Sequence, residues 1–456
     1  MKKVSLIAIA LLLVAVAQAK VTYKFRISLT DKNNTEYSLD KPQQFLSEKA
    51  LLRRAKQKLA VDSTDLPIPG KYLKAIRATG AKVLVTSKWN NTVAVSCADS
   101  LLVNKIAKLP FVGNTELVWM GEEQTQSSDA AQKEEVTNKL EKTDNYYGRA
   151  FHQIEVHNGQ KLHEAGFRGQ GMTVAIIDGG FKNANKLTAL KSLKLLGTRD
   201  FVKPNSDIYE ENNHGMKVLS CMASNEPYSI VGTAPEASYW LLRSEDTSSE
   251  NLIEQDYWAA AIEFADSVGV DVVNTSLGYR TFDDSSKNYT YQDLNGKKAM
   301  ISRSAGMAAD KGIVLVCSAG NEGRGSWKKI TPPADAFNVI TVAAVDSTLN
   351  LAPFSSVGNT TDNRVKPDVS AIGERTILLN TNGEVGHANG TSFSTPTFCG
   401  LVTCLWQACP QLTAKEVIEL VRKSCNHYAF PDNIYGYGVP DIYKAYLTVH
   451  PEIATK

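Results

Sequence analysis

The chain has 456 residues, of which 43% are hydrophobic and 21% charged, with a formal net charge of +2. Such a length fits one large domain with a satellite, and the balanced charge excludes a disordered chain or the basic surface of a nucleic-acid binder. Seven cysteines leave at least one unpaired, which argues against a disulfide-stapled scaffold, although Cys409 and Cys425 are free to pair.

Lys2 and Lys3 precede an apolar run from Val4 to about Val16, and Ala17-Gln18-Ala19 follows. This is the pattern of a secretory signal peptide over residues 1–19, cut after Ala19, and the run is too short to anchor the chain. No later segment is apolar enough to span, so the expectation is an exported protein, secreted or periplasmic in a bacterium, with no membrane span once the signal is removed.

Residues 20–120 alternate short elements: a strand VTYKFRISL, a helix YLKAIRATG, paired strands AKVLVTSKW and NTVAVSC, a helix DSLLVNKIAKL and a last strand FVGNTELVW. That β-α-β-β-α-β order predicts a small ferredoxin-like α+β domain. Residues 121–147 begin with the polar stretch GEEQTQSSDAAQKEEVTNKLEKT and are expected to be a linker. From 148 to 456 the strands become almost wholly apolar (MTVAIID, SYWLLR, DVVNTS, GIVLVCSAG, NVITVAAV) between helical stretches, which predicts an α/β domain with a parallel sheet covered by helices on both faces.

Four motifs carry chemistry. In Gly390-Thr391-Ser392 small residues lead into a helical stretch, so the Ser392 hydroxyl is expected at a helix N-terminus. Ser392 alone reads more readily as a helix cap. The strand Val174 to Ile177 ends at Asp178-Gly179-Gly180, where a carboxylate at the sheet's carboxyl edge can orient an imidazole. His214-Gly215 opens a helix, with a side chain suited to general base work. Ser318-Ala319-Gly320-Asn321 ends another buried strand and offers an amide donor for an oxyanion. Each has a plain reading as a cap or turn residue, but together they supply nucleophile, base, orienter and oxyanion donor.

In the order Asp178, His214, Asn321, Ser392, these motifs resemble the subtilisin family of serine proteases, across about residues 165–445. The resemblance implies a subtilisin-like fold and a serine endopeptidase acting on polypeptides through an acyl-enzyme. It also implies that residues 20–120 are an inhibitory pro-domain, that processing is by the protein itself within the linker, and that Ser276, Leu277, Gly278, Ser318, Ala319 and Gly320 bind substrate backbone. Gly179 stands where the family commonly has Ser or Thr, and Met216 where it commonly has Thr after His-Gly. A catalytically dead binding relative and an acid-acting Glu/Asp variant are the rival readings; the intact His214 and Asn321 weigh against both.

Neither catalytic cofactor nor metal ligand is expected. Structural calcium is allowed by the resemblance, yet the acidic stretches 207–211 and 283–284 match no calcium loop. A monomer is expected. An S1 wall is expected near residues 276–278, 318–320 and the loop 323–333, which contains Trp327 and Ile330, with an apolar preference.

Overall fold

The computed structural model describes residues 21–33, 35–122 and 135–454; the signal peptide and the middle of the linker lie outside the described residues. In β1 (Val21–Leu29) the residues Phe25, Ile27 and Leu29 share one buried face, as the two-residue period of a strand requires. After α1 (Glu48–Lys56) and α2 (Gly70–Ala78) come β2 (Lys82–Ser87), β3 (Thr92–Cys97), α3 (Leu102–Ile106) and β4 (Val112–Glu122). The four strands pair antiparallel in the order β2-β3-β1-β4 around a core that includes Ile27, Ile76, Val93, Val95 and Ile106. Helix α1, capped by the Ser47 side chain accepting from Ala50 N, has no counterpart among the expected elements.

Two short helices, α4 (Phe151–Glu155) and α5 (Gly159–Glu164), lead into β5 (Thr173–Asp178) and β6 (Lys194–Asp200). Then follow α6 (His214–Ala223), the hairpin β7 (Asn225–Glu226) and β8 (Ile230–Val231), β9 (Ser238–Arg243), α7 (Ile253–Ser267) and β10 (Val272–Thr275). The remaining elements used below are α8 (Met300–Asp310), β11 (Val314–Ser318), β12 (Ile340–Val345), β13 (Val369–Ile372) and α9 (Thr391–Ala408). Seven strands form a parallel sheet in the order β13-β12-β11-β10-β5-β9-β6. Successive β5 residues face opposite layers: Val174 and Ile176 pack with α6 and α9, while Ala175 and Ile177 pack with α7 and α8. Burial on both faces explains why these strands are continuous apolar runs. The chain moves from β5 to β6 and β9 on one side, then crosses to β10 on the other. A crevice therefore opens at the carboxyl ends beside β5, the switch point of the sheet.

The small domain meets the large one along α7. Toward the start of that helix, Arg26 on β1 bonds Asp256 at 2.8 and 2.6 Å and the Leu252 carbonyl at 3.1 Å. Toward its other end, Glu263 accepts hydrogen bonds from Ser87 Oγ, from Lys88 N at 2.8 Å and from Trp89 N at 3.0 Å, while Trp89, Ala94 and Val118 join the apolar layer of Tyr257, Trp258 and Ala261. One turn beyond Glu263, α1 inserts charge: Arg54 bonds Asp65 at 2.7 and 2.9 Å and Asp266 at 2.7 Å, and Arg53 pairs with Asp266. Lys311 closes this cluster with bonds to Asp62 at 2.8 Å and Asp65 at 3.1 Å.

Strand β4 continues through Gly121 and Glu122, and residues 135–147 lie along the large domain. Val136 and Leu140 pack on its core, Thr137 N donates to Asn382 O at 2.9 Å, and Thr143 N donates to Tyr228 O at 2.7 Å. Cys409 and Cys425 do not pair; all seven cysteines are free thiols in buried positions.

Candidate active site

Asp178 is the last residue of β5 and His214 the first of α6, so the strand end and the helix start meet at the crevice. His214 Nδ1 lies 2.8 Å from Asp178 Oδ1, which also accepts from Gly179 N at 2.7 Å. Gly215 is required for this approach: a Cβ there would fall 2.9 Å from Asp178 Cβ and 2.5 Å from Gly180 O. Burial works against a charged His214, but the Asp178 charge and hydrogen bond outweigh it, and the imidazole pKa is raised. Met216, unusual in sequence, is buried in the core beneath the imidazole's helix and bears no polar role.

Ser392 is the second residue of α9, on the turn made by Gly390 with φ +153°. Pro396 sits within this helix and has no N–H to return to the Ser392 carbonyl four residues before it. Ser276 supplies the missing donor: its Oγ donates to Ser392 O at 2.9 Å, while Ser392 Oγ donates to Ser276 O at 3.2 Å. The motif's proline thus has a mechanical meaning, because it frees a carbonyl through which Ser276 holds the start of the helix.

Asn321 is held by its amide oxygen, which accepts from Thr391 N at 2.9 Å and Thr391 Oγ1 at 3.0 Å. Those contacts leave the amide N–H groups of Asn321 for the cleft it lines together with Ser392. The cleft, of about 450 Å³, is also walled by Ser276, Leu277, Gly278, Ser318 and Gly320. The structure does not give residues 318–320 a free edge for a substrate strand. Ala319 N donates to Val342 O at 3.1 Å and its carbonyl accepts from Thr331 N at 3.2 Å; Gly320 N donates to Thr391 Oγ1 at 3.2 Å and its carbonyl accepts from Ser356 N at 3.0 Å. Ala319 is fully buried, while Ser318 and Gly320 face the cleft as part of its wall.

Ile330 lies in the core and Trp327 packs under the Arg280 guanidinium, 5.1 Å from the ring centroid. Beside the apolar Leu277 and Phe282, the cleft is lined by polar residues, among them Glu250, Arg280, Asp283, Glu322 and Thr331.

One neighbour of the Asp178–His214 pair was not anticipated from sequence. Glu245, two residues beyond β9, accepts a hydrogen bond from the buried Tyr279 hydroxyl, and burial together with the nearby Asp178 pushes its carboxyl up to about 7. The signal that found Asp178, a charged residue just past an apolar strand, was equally present in SYWLLR-Ser244-Glu245.

A doubly covered parallel sheet with polar groups gathered at its switch point is the architecture of an α/β enzyme. The comparisons with known proteins carry this to a family. Residues 169–438 match the subtilase family, and residues 24–137 match the peptidase S8 propeptide domain of Bacteroidota. Subtilisin NAT from Bacillus subtilis subsp. natto is 29% identical over 62% of this chain and 68% of its own. Subtilisin from Bacillus pumilus is 28% identical over 62% of this chain and 94% of its own. A crystal structure of MycP1 with its N-terminal propeptide removed has a TM-score of 0.51 at 22% identity, covering 65% of this chain and 96% of that one, a likeness of fold. The chain belongs to the subtilase family: it is a serine endopeptidase that carries a propeptide domain, as a zymogen does.

Proposed function

We propose that this protein is an exported, self-processing zymogen that cleaves polypeptides with Ser392 as nucleophile, His214 as general base and Asp178 as its orienter. The observation that carries the reading is the 2.8 Å contact between His214 Nδ1 and Asp178 Oδ1 in the crevice that Ser392 and Asn321 line. On substrate binding the Ser392 hydroxyl turns from the Ser276 carbonyl toward His214 Nε2 and attacks the scissile carbonyl while the imidazole takes its proton. Asn321 Nδ2 and the Ser392 N–H hold the oxyanion. The imidazolium then protonates the leaving amine, and water frees the acyl group by the reverse path.

Two further features support the zymogen reading. The small domain covers α7 beside the cleft, and β4 brings Met120, Gly121 and Glu122 to a groove shared with Asp246 and Ser248 of the large domain. Since Val136 and Leu140 already pack on the large domain, we place the cut upstream of Val136. Export rests on the pattern of residues 1–19; among the described residues no helix is long and apolar enough to cross a membrane. N-terminal sequencing of purified wild type and Ser392→Ala protein tests self-processing. Wild type is expected to acquire a new N-terminus that Ser392→Ala lacks; maturation of both at the same bond would contradict it.

A further inference from the structure

The triad carboxylate is only half satisfied. Asp178 Oδ1 serves His214 and Gly179 N, whereas Asp178 Oδ2 is buried with no hydrogen-bond partner among the described residues. A buried carboxylate oxygen left in this way calls for a donor. The following residue cannot supply one, because Gly179 has no side chain. The space its side chain would take is filled from the neighbouring strand: a Cβ built on Gly179 would lie 3.5 Å from Glu245 Cβ and 3.0 Å from Thr247 Cγ2. Strand register enforces the proximity, since Asp178 pairs with Arg243 and Ser244 N donates to Asp178 O at 3.0 Å.

Glu245 is equipped to be that donor. Its Oε1 is occupied as acceptor by Tyr279 Oη, which leaves Oε2 for a proton, and burial with the Asp178 charge keeps that proton on up to about pH 7. The charged groups around it act in both directions. Arg243, held by Asp200 at 2.9 Å, by Glu211 at 3.3 Å and by the Gly179 carbonyl at 3.1 Å, and His214 favour an ionised Glu245, and burial with the Asp178 charge outweighs them. Lys217 on α6 opposes a charged His214, while Glu250 and Glu254, whose carboxyls burial and the Glu245 charge push up in turn, are neutral as Glu245 titrates.

We propose that Glu245 is a positioning residue for the triad: its neutral carboxyl donates from Oε2 to Asp178 Oδ2, fixing the plane in which Oδ1 orients His214, and its ionisation makes His214 a stronger base. The inference rests on the triad reading above. A charge-assisted O–H···O bond of this kind is short and directional, and only the protonated acid can form it. As pH rises through the Glu245 pKa the donor is lost and a negative charge appears near the imidazole, which moves the acid limb of activity upward.

The test uses matured enzyme carrying Glu245→Gln, Glu245→Ala or Tyr279→Phe. It measures the rate of Ser392 acylation by a fluorophosphonate probe, and kcat/KM on labelled casein, across pH. Glu245→Gln keeps an N–H donor but cannot ionise, so its plateau rate should stay within about twofold of wild type while its acid limb falls by about 0.5–1 pH unit. Glu245→Ala should show the same displacement, with a rate below about pH 7, where the wild-type carboxyl still donates, about tenfold lower than that of Glu245→Gln. Tyr279→Phe removes a bond that favours the ionised form, so its limb should move in the same direction by less. Limbs that coincide with wild type in all three variants would overturn the proposal, as would Glu245→Gln being as slow as Glu245→Ala below about pH 7. If wild type itself were not labelled, the serine-protease reading would be the one to fail.

Discussion

Two neighbouring contacts between the propeptide domain and the enzyme are built from unlike chemistry. Around Glu263 the contact is a carboxylate receiving Ser87, Lys88 and Trp89 amid apolar side chains. Around α1 it is a buried cluster in which Arg53, Arg54 and Lys311 meet Asp62, Asp65 and Asp266. Apolar burial of this sort is non-directional and gradual, whereas a buried ion cluster is nearly all-or-none, since removing one member strands its partners. The α1 arm is therefore expected to be the more sensitive of the two to a single substitution.

The largest effect is expected from the arm. Arg54→Ala leaves Asp65 and Asp266 without their shared cation, which costs about 3–5 kcal/mol, visible as a lowered urea midpoint of full-length Ser392→Ala protein. No change in that midpoint would remove the distinction between the contacts. Glu263→Ala should weaken docking by about 1–3 kcal/mol, because two backbone N–H groups lose their acceptor; hydrogen exchange at Lys88 and Trp89 reports it.

Acidity should separate the two contacts. Burial raises Glu263 from 4.5 to about 7 in the docked state, so docking there is strongest below about pH 4.5 and weakens as pH rises through 7. Asp65 behaves oppositely: its bonds to Arg54 overcome burial and lower it from 3.8 to about 2, so its contribution is full above 3.8 and lost as pH falls through 2. Hydrogen exchange on full-length Ser392→Ala protein should thus show protection of β2 and β3 declining between about pH 4.5 and 7 while α1 stays protected. Parallel loss in both would contradict the comparison. The smallest effect is expected for Lys49→Ala, whose ion pair with Asp271 at 2.8 Å is 40% exposed on the lysine side and contributes less than about 1 kcal/mol.

Much of the fold was legible because buried parallel strands leave unbroken apolar runs: β5, β9, β10, β11 and β12 all lie within the segments read as strands. Asp178, His214, Asn321 and Ser392 were found because each follows such a strand or opens a helix. Helix α1 was missed for a physical reason: its buried side chains include Arg53 and Arg54, neutralised by carboxylates distant in sequence, so no apolar period marks it. The hydrogen bonds that tie Ala319 and Gly320 to Val342, Thr331 and Thr391 were not legible, because they come from remote segments that local sequence does not display. Glu245 was overlooked because its meaning depends on strand β9 lying beside β5.

The central claim is that Ser392 is a nucleophile activated by His214 and held under a propeptide domain until that domain is cut away. Labelling with a fluorophosphonate probe, followed by peptide mapping, tests it most directly. Matured wild type should carry the label on Ser392, while His214→Ala should label at least about a hundredfold more slowly. Equal labelling of the two proteins, or a label on any residue other than Ser392, would contradict it.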